Sequence, residues 1–219
     1  SIFPVTSGVP QGSVLGPVLF SLYTSPIASI VSSHGVHQQQ YADDTQLFVF
    51  LSPASLDHNL SQLLSCLSSI RGWFLHNGLA LNSDKTEAIC FGTAGRRKSL
   101  HRLSSVQVFD ATVHLSHHIK LLGITLDNAL NFDSHTSNIC SSSYYHIRAL
   151  RRIRPYLDLN TSKSTASCIV GSRLDYANSA LYGMPLRNID RLQRVQNALA
   201  RVTSADYSTK PLNLLRSLH

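Results

Sequence analysis

The sequence predicts an α+β fold in which an antiparallel sheet with packed helices is followed by a helical region. Two short segments rich in β-forming residues, 36–41 and 45–51, flank the turn-forming stretch Ala42-Asp43-Asp44 and predict a hairpin. Apolar residues at steps of three and four between positions 56 and 74 predict a helix packed on that sheet. Helical spacing dominates from about residue 131 onward, and we expect two domains, residues 1–130 and 131–219.

The elements of the first 130 residues follow from the same patterns. Residues 17–31 begin with a proline and carry the apolar spacing of a helix. Ser55 is the expected N-cap of the next helix, and Asn77-Gly78 is its expected stop. The remaining segments are expected to be a strand at 86–91, a basic turn-rich connection at 92–99 and a pair of strands at 106–115 and 118–127.

Charge is unevenly distributed along the chain. The formal net charge is +7, but residues 1–95 hold two Lys/Arg against five Asp/Glu, whereas residues 96–219 hold seventeen against seven. This distribution suits a chain that performs phosphate chemistry in its acidic N-terminal part and binds a polyanion through its basic C-terminal part. The alternative is a generic basic protein whose arginines keep it in solution.

The adjacent carboxylates Asp43 and Asp44 are the first candidate site. Like charges a few ångströms apart raise the cost of ionising each other, and a divalent cation relieves that cost. Magnesium suits carboxylates combined with substrate phosphates. The alternative is an ordinary solvated turn, because Asp is common in turns.

The second half carries two sets of arginines at helical spacing, and each set shares one face of a helix. These are Arg148, Arg151 and Arg152 in the first helix, and Arg187, Arg191, Arg194 and Arg201 in the second. Within a strongly basic segment, such stripes predict contacts with a nucleic-acid backbone. A merely solvated helix face is the alternative.

Several motifs occur in a fixed order around Tyr41-Ala42-Asp43-Asp44. They are GVPQGSVLGP at 8–17, LNSDKTE at 81–87, LLGITL at 121–126, LDYANSALYGMP at 174–185 and LQRVQNA at 192–198. In this order they resemble the reverse transcriptase of jockey-like LINE (non-long-terminal-repeat) retrotransposons over nearly the whole chain. The resemblance implies a partial polymerase palm over residues 1–130 and a helical thumb over 131–219.

The resemblance also implies RNA-templated DNA synthesis by two-metal nucleotidyl transfer, with Mg²⁺, an RNA template, a DNA primer and deoxynucleoside triphosphates as partners. In this interpretation Asp43 is a magnesium ligand assisted by Asp44, and Lys85 faces the departing pyrophosphate. The residues expected at the template and the incoming nucleotide are Pro10, Gln11, Gly12 and Tyr41. The residues expected in the primer grip are Leu122, Gly123 and Ile124.

One expected motif is missing from this sequence. Polymerases of this family take their first metal-binding aspartate from a segment upstream of the Val-Pro-Gln-Gly loop, and no acidic residue occurs here before Asp43. We therefore expect a piece of a larger polyprotein that is inactive by itself. The competing hypothesis is a catalytically dead relic that only binds nucleic acid.

Cysteine spacing and hydropathy bear on the compartment. The four cysteines form no Cys-x-x-Cys pair, which signals neither a zinc knuckle nor a disulfide framework. A reducing location is expected, cytoplasmic or nuclear, and nuclear if the protein acts in integration. No apolar run reaches the length of a membrane span, and no membrane partner is expected.

Overall fold

The computed structural model describes residues 12–204, which form helices and antiparallel hairpins and confirm the α+β class. They belong to two compact units. The first unit holds residues up to Ala88 together with Gly95–Leu115, and the second holds Ile89–Ala94 together with residues from Ser116 onward. None of the helices within this described range has the length and apolar character needed to cross a bilayer.

The first unit begins with two helices, α1 at Gly16–Thr24 and α2 at Pro26–Ser33. The prediction of one helix over 17–31 is wrong, because Pro26 lacks the N–H that would continue α1 and its ring clashes with the preceding turn. The same proline occupies the first turn of α2, where its fixed φ is favourable. After the break, apolar side chains are deeply buried only in the second helix, at Ile27 and Val31.

A hairpin and a long helix complete the packed part of this unit. Strands β1 (His37–Tyr41) and β2 (Asp44–Phe48) pair antiparallel, and α3 spans Leu56–His76. The apolar core joins α2, α3 and the residue before β1. Its buried members are Ile27, Val31, Val36, Cys66, Ile70 and Phe74.

The structure confirms the predicted stop of α3 but not its predicted N-cap. The chain leaves α3 through Asn77 and Gly78, and Gly78 has the positive φ of +69° expected at such a stop. Ser55 precedes the helix, but its hydroxyl forms no capping bond. It bonds Ser52 Oγ at 2.7 Å instead, and therefore the predicted cap is wrong in its chemistry.

Residues 106–115 were expected to form one long strand, but the structure has two short strands there. Strand β3 is only Ala88–Ile89, and the basic connection contains a short helix, α4, at Ala94–Ser99. Strands β4 (Ser105–Val108) and β5 (Ala111–Ser116) pair antiparallel as a hairpin. A two-residue turn with φ +55° at Phe109 reverses the chain between them. The sequence does not signal this turn because it has no glycine.

The second unit starts with another hairpin, β6 (His118–Leu121) and β7 (Ile124–Asp127), followed by α5 at Asp133–Ile153. Asp127 is buried, and its carboxylate accepts hydrogen bonds from three backbone N–H groups in the loop that follows it. The donors are Ala129, Asn131 and Phe132, at 3.1, 3.0 and 2.6 Å. This carboxylate therefore shapes the entry to α5 and is not a candidate metal ligand.

Besides two 3₁₀ turns at Arg154–Tyr156 and Asn178–Leu181, the described part of the second unit continues with four helical segments. They are α6 (Leu159–Ala166), a π-helical turn (Ser167–Gly171), α7 (Ser172–Asp175) and α8 (Leu186–Ser204). The two long helices α5 and α8 match the predicted helical pattern. They share one apolar core with α6 and α7, whose buried members include Ile147, Leu150, Val170, Leu174, Val195 and Val202.

Candidate functional site

The Tyr41–Asp44 segment is a tight hairpin turn. Tyr41 pairs with Asp44 across the strands, which leaves Ala42 and Asp43 as the two loop residues. Ala42 has φ +53°, the left-handed conformation that two-residue hairpin turns require at their first loop position. All four residues are exposed.

Among the described residues, the two carboxylates of this turn have no partner. The side chains of Asp43 and Asp44 form no hydrogen bond or ion pair with residues 12–204. Both are exposed, and an oxygen-only donor set of this kind suits a hard divalent cation. Within that same range, no third His, Cys, Asp or Glu joins them in a group that could hold a metal ion.

Gln40 hydrogen-bonds this turn, and the sequence did not predict that role. Its Nε2 donates to the backbone carbonyl of Ala42 at 3.1 Å and to Thr24 Oγ1 at 3.0 Å. Thr24 is 1% exposed at the end of α1 and donates in turn to the carbonyl of Phe20. The turn is thus tied to a buried helix end. The only signal in the sequence was a glutamine placed next to the motif.

The other predicted residues of the first unit are less closely organised. Gly12 lies in an exposed turn with φ +86°, and no atom lies within 4 Å of where a Cβ would stand. Lys85 ends a short 3₁₀ turn at Ser83–Lys85 and is exposed. No hydrogen bond or ion pair among the described residues joins either of them to the Asp43 turn. Pro10 and Gln11 lie outside the described residues.

The predicted primer-grip residues occupy the β6–β7 turn. Leu121 pairs with Ile124, so Leu122 and Gly123 are the two loop residues. Both have positive φ, +45° and +83°. Leu122 and Gly123 are exposed, whereas Ile124 is half-buried at the start of β7. The hairpin therefore presents its tip outward.

The arginines of α5 are exposed and available. The side chains of Arg148, Arg151 and Arg152 form no hydrogen bond or ion pair with other residues between 12 and 204. Arg148 and Arg152 lie opposite the helix face that carries the buried Ile147 and Leu150. These cations are free to meet an external anion.

The arginine stripe of α8 is divided. Arg187 binds Asp133 at the start of α5 through two contacts, Nη2 to Oδ2 at 2.7 Å and Nε to Oδ1 at 3.2 Å. Hydrogen bonding from Arg187 lowers the pKa of the Asp133 carboxyl, and the same pair raises the pKa of Arg187. Arg191 donates to Asn188 Oδ1 at 3.1 Å and to Ser137 Oγ at 2.8 Å.

Asn188 is the centre of this polar network. It is 0% exposed, and its Nδ2 donates to the carbonyl of Asn131 and to Asp133 Oδ1, both at 2.8 Å. Arg187 and Arg191 therefore hold α8 against α5. Arg194 and Arg201 are exposed and make no such contacts within the described range. Of the four arginines in the stripe, these two alone have no side-chain partner between residues 12 and 204.

Comparison with known proteins gives a family match. Residues 1–126 match the family described as reverse transcriptase (RNA-dependent DNA polymerase). No solved structure matches the chain.

Three curated relatives from Drosophila extend the similarity. The chain is 33% identical over 144 residues to the RNA-directed DNA polymerase from mobile element jockey of Drosophila melanogaster, covering 64% of this chain and 15% of the relative. It is 25% identical to the jockey polymerase of Drosophila funebris, covering 91% and 22%. It is 28% identical to the probable RNA-directed DNA polymerase from transposon BS of Drosophila melanogaster, covering 97% and 24%. The chain thus spans less than a quarter of the length of these relatives.

Proposed function

Because the chain belongs to the reverse transcriptase family and is similar to jockey-type polymerases, we propose that it serves RNA-directed DNA synthesis as part of a LINE retrotransposon polymerase. One observation carries this proposal. The family match includes a Tyr-Ala-Asp-Asp turn whose two carboxylates are exposed and unpaired among the described residues. Residues 1–130 act as part of the palm and residues 131–219 as the thumb.

Reverse transcriptases generally use divalent metal ions, and we propose Asp43 as the magnesium ligand of this chain, with Asp44 adding charge. Bound Mg²⁺ neutralises charge on the phosphates and the leaving pyrophosphate. Gln40 holds the Ala42 carbonyl and so fixes the turn that carries both carboxylates. Tyr41, Pro10, Gln11 and Gly12 face the template and the incoming nucleotide, and Lys85 supplies a cation toward the pyrophosphate.

The second unit supplies the grip on the RNA template and DNA primer. We place the sugar–phosphate backbone against the exposed guanidinium groups of α5, Arg148, Arg151 and Arg152, and of α8, Arg194 and Arg201. Arg187 and Arg191 act indirectly, since they hold α8 in place through Asp133 and Ser137. The turn at Leu122, Gly123 and Ile124 contacts the primer end.

Asp43→Asn tests the catalytic proposal in a longer polypeptide that contains these residues and extends a primer on RNA. The change keeps the shape of the side chain but removes the charge of a metal ligand, and we expect kcat to fall by at least about a thousandfold. Primer–template affinity should stay within about twofold, since a metal ligand acts mainly on the transition state.

Asp57→Asn is the matched control, because Asp57 is an exposed carboxylate in the first turn of α3, outside the motif. It should leave both kcat and affinity unchanged. Normal turnover by Asp43→Asn, or an equal loss in both variants, would remove Asp43 from the reaction. The dead-relic hypothesis instead requires that no polypeptide containing the natural flanking sequence extends a primer.

A further inference from the structure

The β6–β7 turn has a backbone conformation that its sequence does not favour. Both loop residues have positive φ, which two-residue turns of this kind normally meet with Asn-Gly or Asp-Gly. Leu122 occupies the first position at φ +45°, where a bulky side chain crowds the backbone. Such a conformation persists only where other contacts determine it.

Tyr176 provides such a contact. Its hydroxyl donates to the backbone carbonyl of Leu122 at 2.6 Å. A Cβ placed on Gly123 would stand 3.3 Å from Cε1 and 3.4 Å from the hydroxyl oxygen of the same ring. The ring therefore lies directly against the turn, and Gly123 is needed both for its φ and for this close approach.

The backbone that carries Tyr176 is anchored on both sides. Leu174, two residues before it at the end of α7, is 6% exposed, and Leu181 in the following 3₁₀ turn is 3% exposed. Ala177 has φ +54°, a left-handed residue that turns the chain immediately after the tyrosine. Two core residues and a fixed bend thus aim the ring at the hairpin.

We propose that Tyr176 is a positioning residue for the primer end, acting by holding the Leu122–Gly123 turn in one conformation. This inference rests on the proposed function of that turn. The hydrogen bond engages the Leu122 carbonyl, while Leu122 as a residue remains 41% exposed and can contact a primer nucleotide. The tyrosine fixes the turn without covering it.

Tyr176→Phe removes the hydroxyl and keeps the ring. Tyr182→Phe is the matched control, because Tyr182 is 94% exposed and its hydroxyl has no partner within residues 12–204. The first measurement is amide hydrogen exchange of residues 118–127 in the chain 1–219 without nucleic acid. We expect exchange about two- to fivefold faster in Tyr176→Phe, the effect of losing one partly exposed hydrogen bond, and no change in the control.

The second measurement places 2-aminopurine at the 3′ end of a DNA primer annealed to RNA. Wild type and Tyr182→Phe should change the 2-aminopurine fluorescence equally on binding, and Tyr176→Phe should give less than half of that change. The affinity of Tyr176→Phe for the duplex should stay within about twofold of wild type, since phosphate contacts dominate affinity.

The outcomes separate the inference from the function on which it rests. Unchanged hydrogen exchange in Tyr176→Phe would overturn the clamp itself. Faster exchange with a wild-type primer-end signal would overturn its positioning role. A duplex that binds wild type without any primer-end signal would refute the primer contact of this turn, whereas the exchange data would still report whether the clamp exists.

Discussion

The division of the α8 arginine stripe can be tested by two double substitutions that remove the same charge from the same helix. Arg194→Gln/Arg201→Gln removes the two exposed guanidinium groups, whereas Arg187→Gln/Arg191→Gln removes the two that bind α5. Each pair lowers the net charge by two. Any long-range effect of charge is therefore equal in both variants.

The expected magnitudes follow from counterion release. Each phosphate contact contributes about 0.7 to 0.9 to the slope of log affinity against log salt. Four contacts along the whole stripe would give a change of roughly 3, but only two of these arginines are without a partner in the part of the chain that the structure describes. We expect Arg194→Gln/Arg201→Gln to flatten the slope by about 1.4 to 1.8, and Arg187→Gln/Arg191→Gln to change it by less than about 0.5 while lowering stability.

Fluorescence anisotropy with a labelled RNA–DNA duplex, measured over a salt series, reads these slopes directly. Circular dichroism establishes beforehand that each variant is folded at the assay temperature. Equal flattening in both pairs would refute the structural role of Arg187 and Arg191. Unchanged slopes in both would show that α8 does not touch the backbone, and would leave the α5 arginines as the candidate grip.

Two further predictions concern stability of the second unit, and urea unfolding checks both. Asn188→Ala should lower the free energy of unfolding by about 3 kcal/mol, because three partly buried hydrogen bonds of about 1 kcal/mol each are lost. Asn197→Ala loses one exposed bond to Gln193 and should cost less than about 0.5 kcal/mol. A loss below about 1 kcal/mol in Asn188→Ala would contradict the network. Burial lowers the pKa of His135, so the unfolded chain takes up its proton first and stability should fall as the pH drops below about 6.5. His135→Gln should remove that part of the pH dependence, and an identical pH dependence in both proteins would exclude His135 as its source.

Local periodicity predicted the long helices, because their signals lie within one element. The apolar steps of α3 and its Asn77-Gly78 stop fall inside a single stretch of sequence and are found as expected. The turn at Phe109 was missed for the opposite reason. The two residues of this turn contact Arg71 of α3, which binds Asp110 at 3.0 Å and lies over the Phe109 ring at 5.0 Å from its centroid. A contact 39 residues away leaves no local pattern.

The candidate site shows the same limit. The sequence identified Asp43 and Asp44 by their adjacency and the arginine stripe by its spacing, yet spacing could not distinguish bound from free arginines. The partner that decides this, Asp133, lies 54 residues before Arg187. Tyr176 was noted only as part of a motif, because its contact with Leu122 depends on tertiary structure.

The two candidate turns share one device, although each belongs to its own unit. In each, the first loop residue is a non-glycine with positive φ, Ala42 at +53° and Leu122 at +45°. In each, the carbonyl of that residue accepts a hydrogen bond from a side chain, Gln40 Nε2 at 3.1 Å or the hydroxyl of Tyr176 at 2.6 Å. A left-handed non-glycine costs on the order of 1–3 kcal/mol and remains only where its surroundings determine it. A side chain that holds the strained peptide therefore fixes the direction of the groups beside it, which are the carboxylate of Asp43 in one turn and the exposed Leu122 side chain in the other. Precision at these tips depends on the supporting residue as much as on the motif.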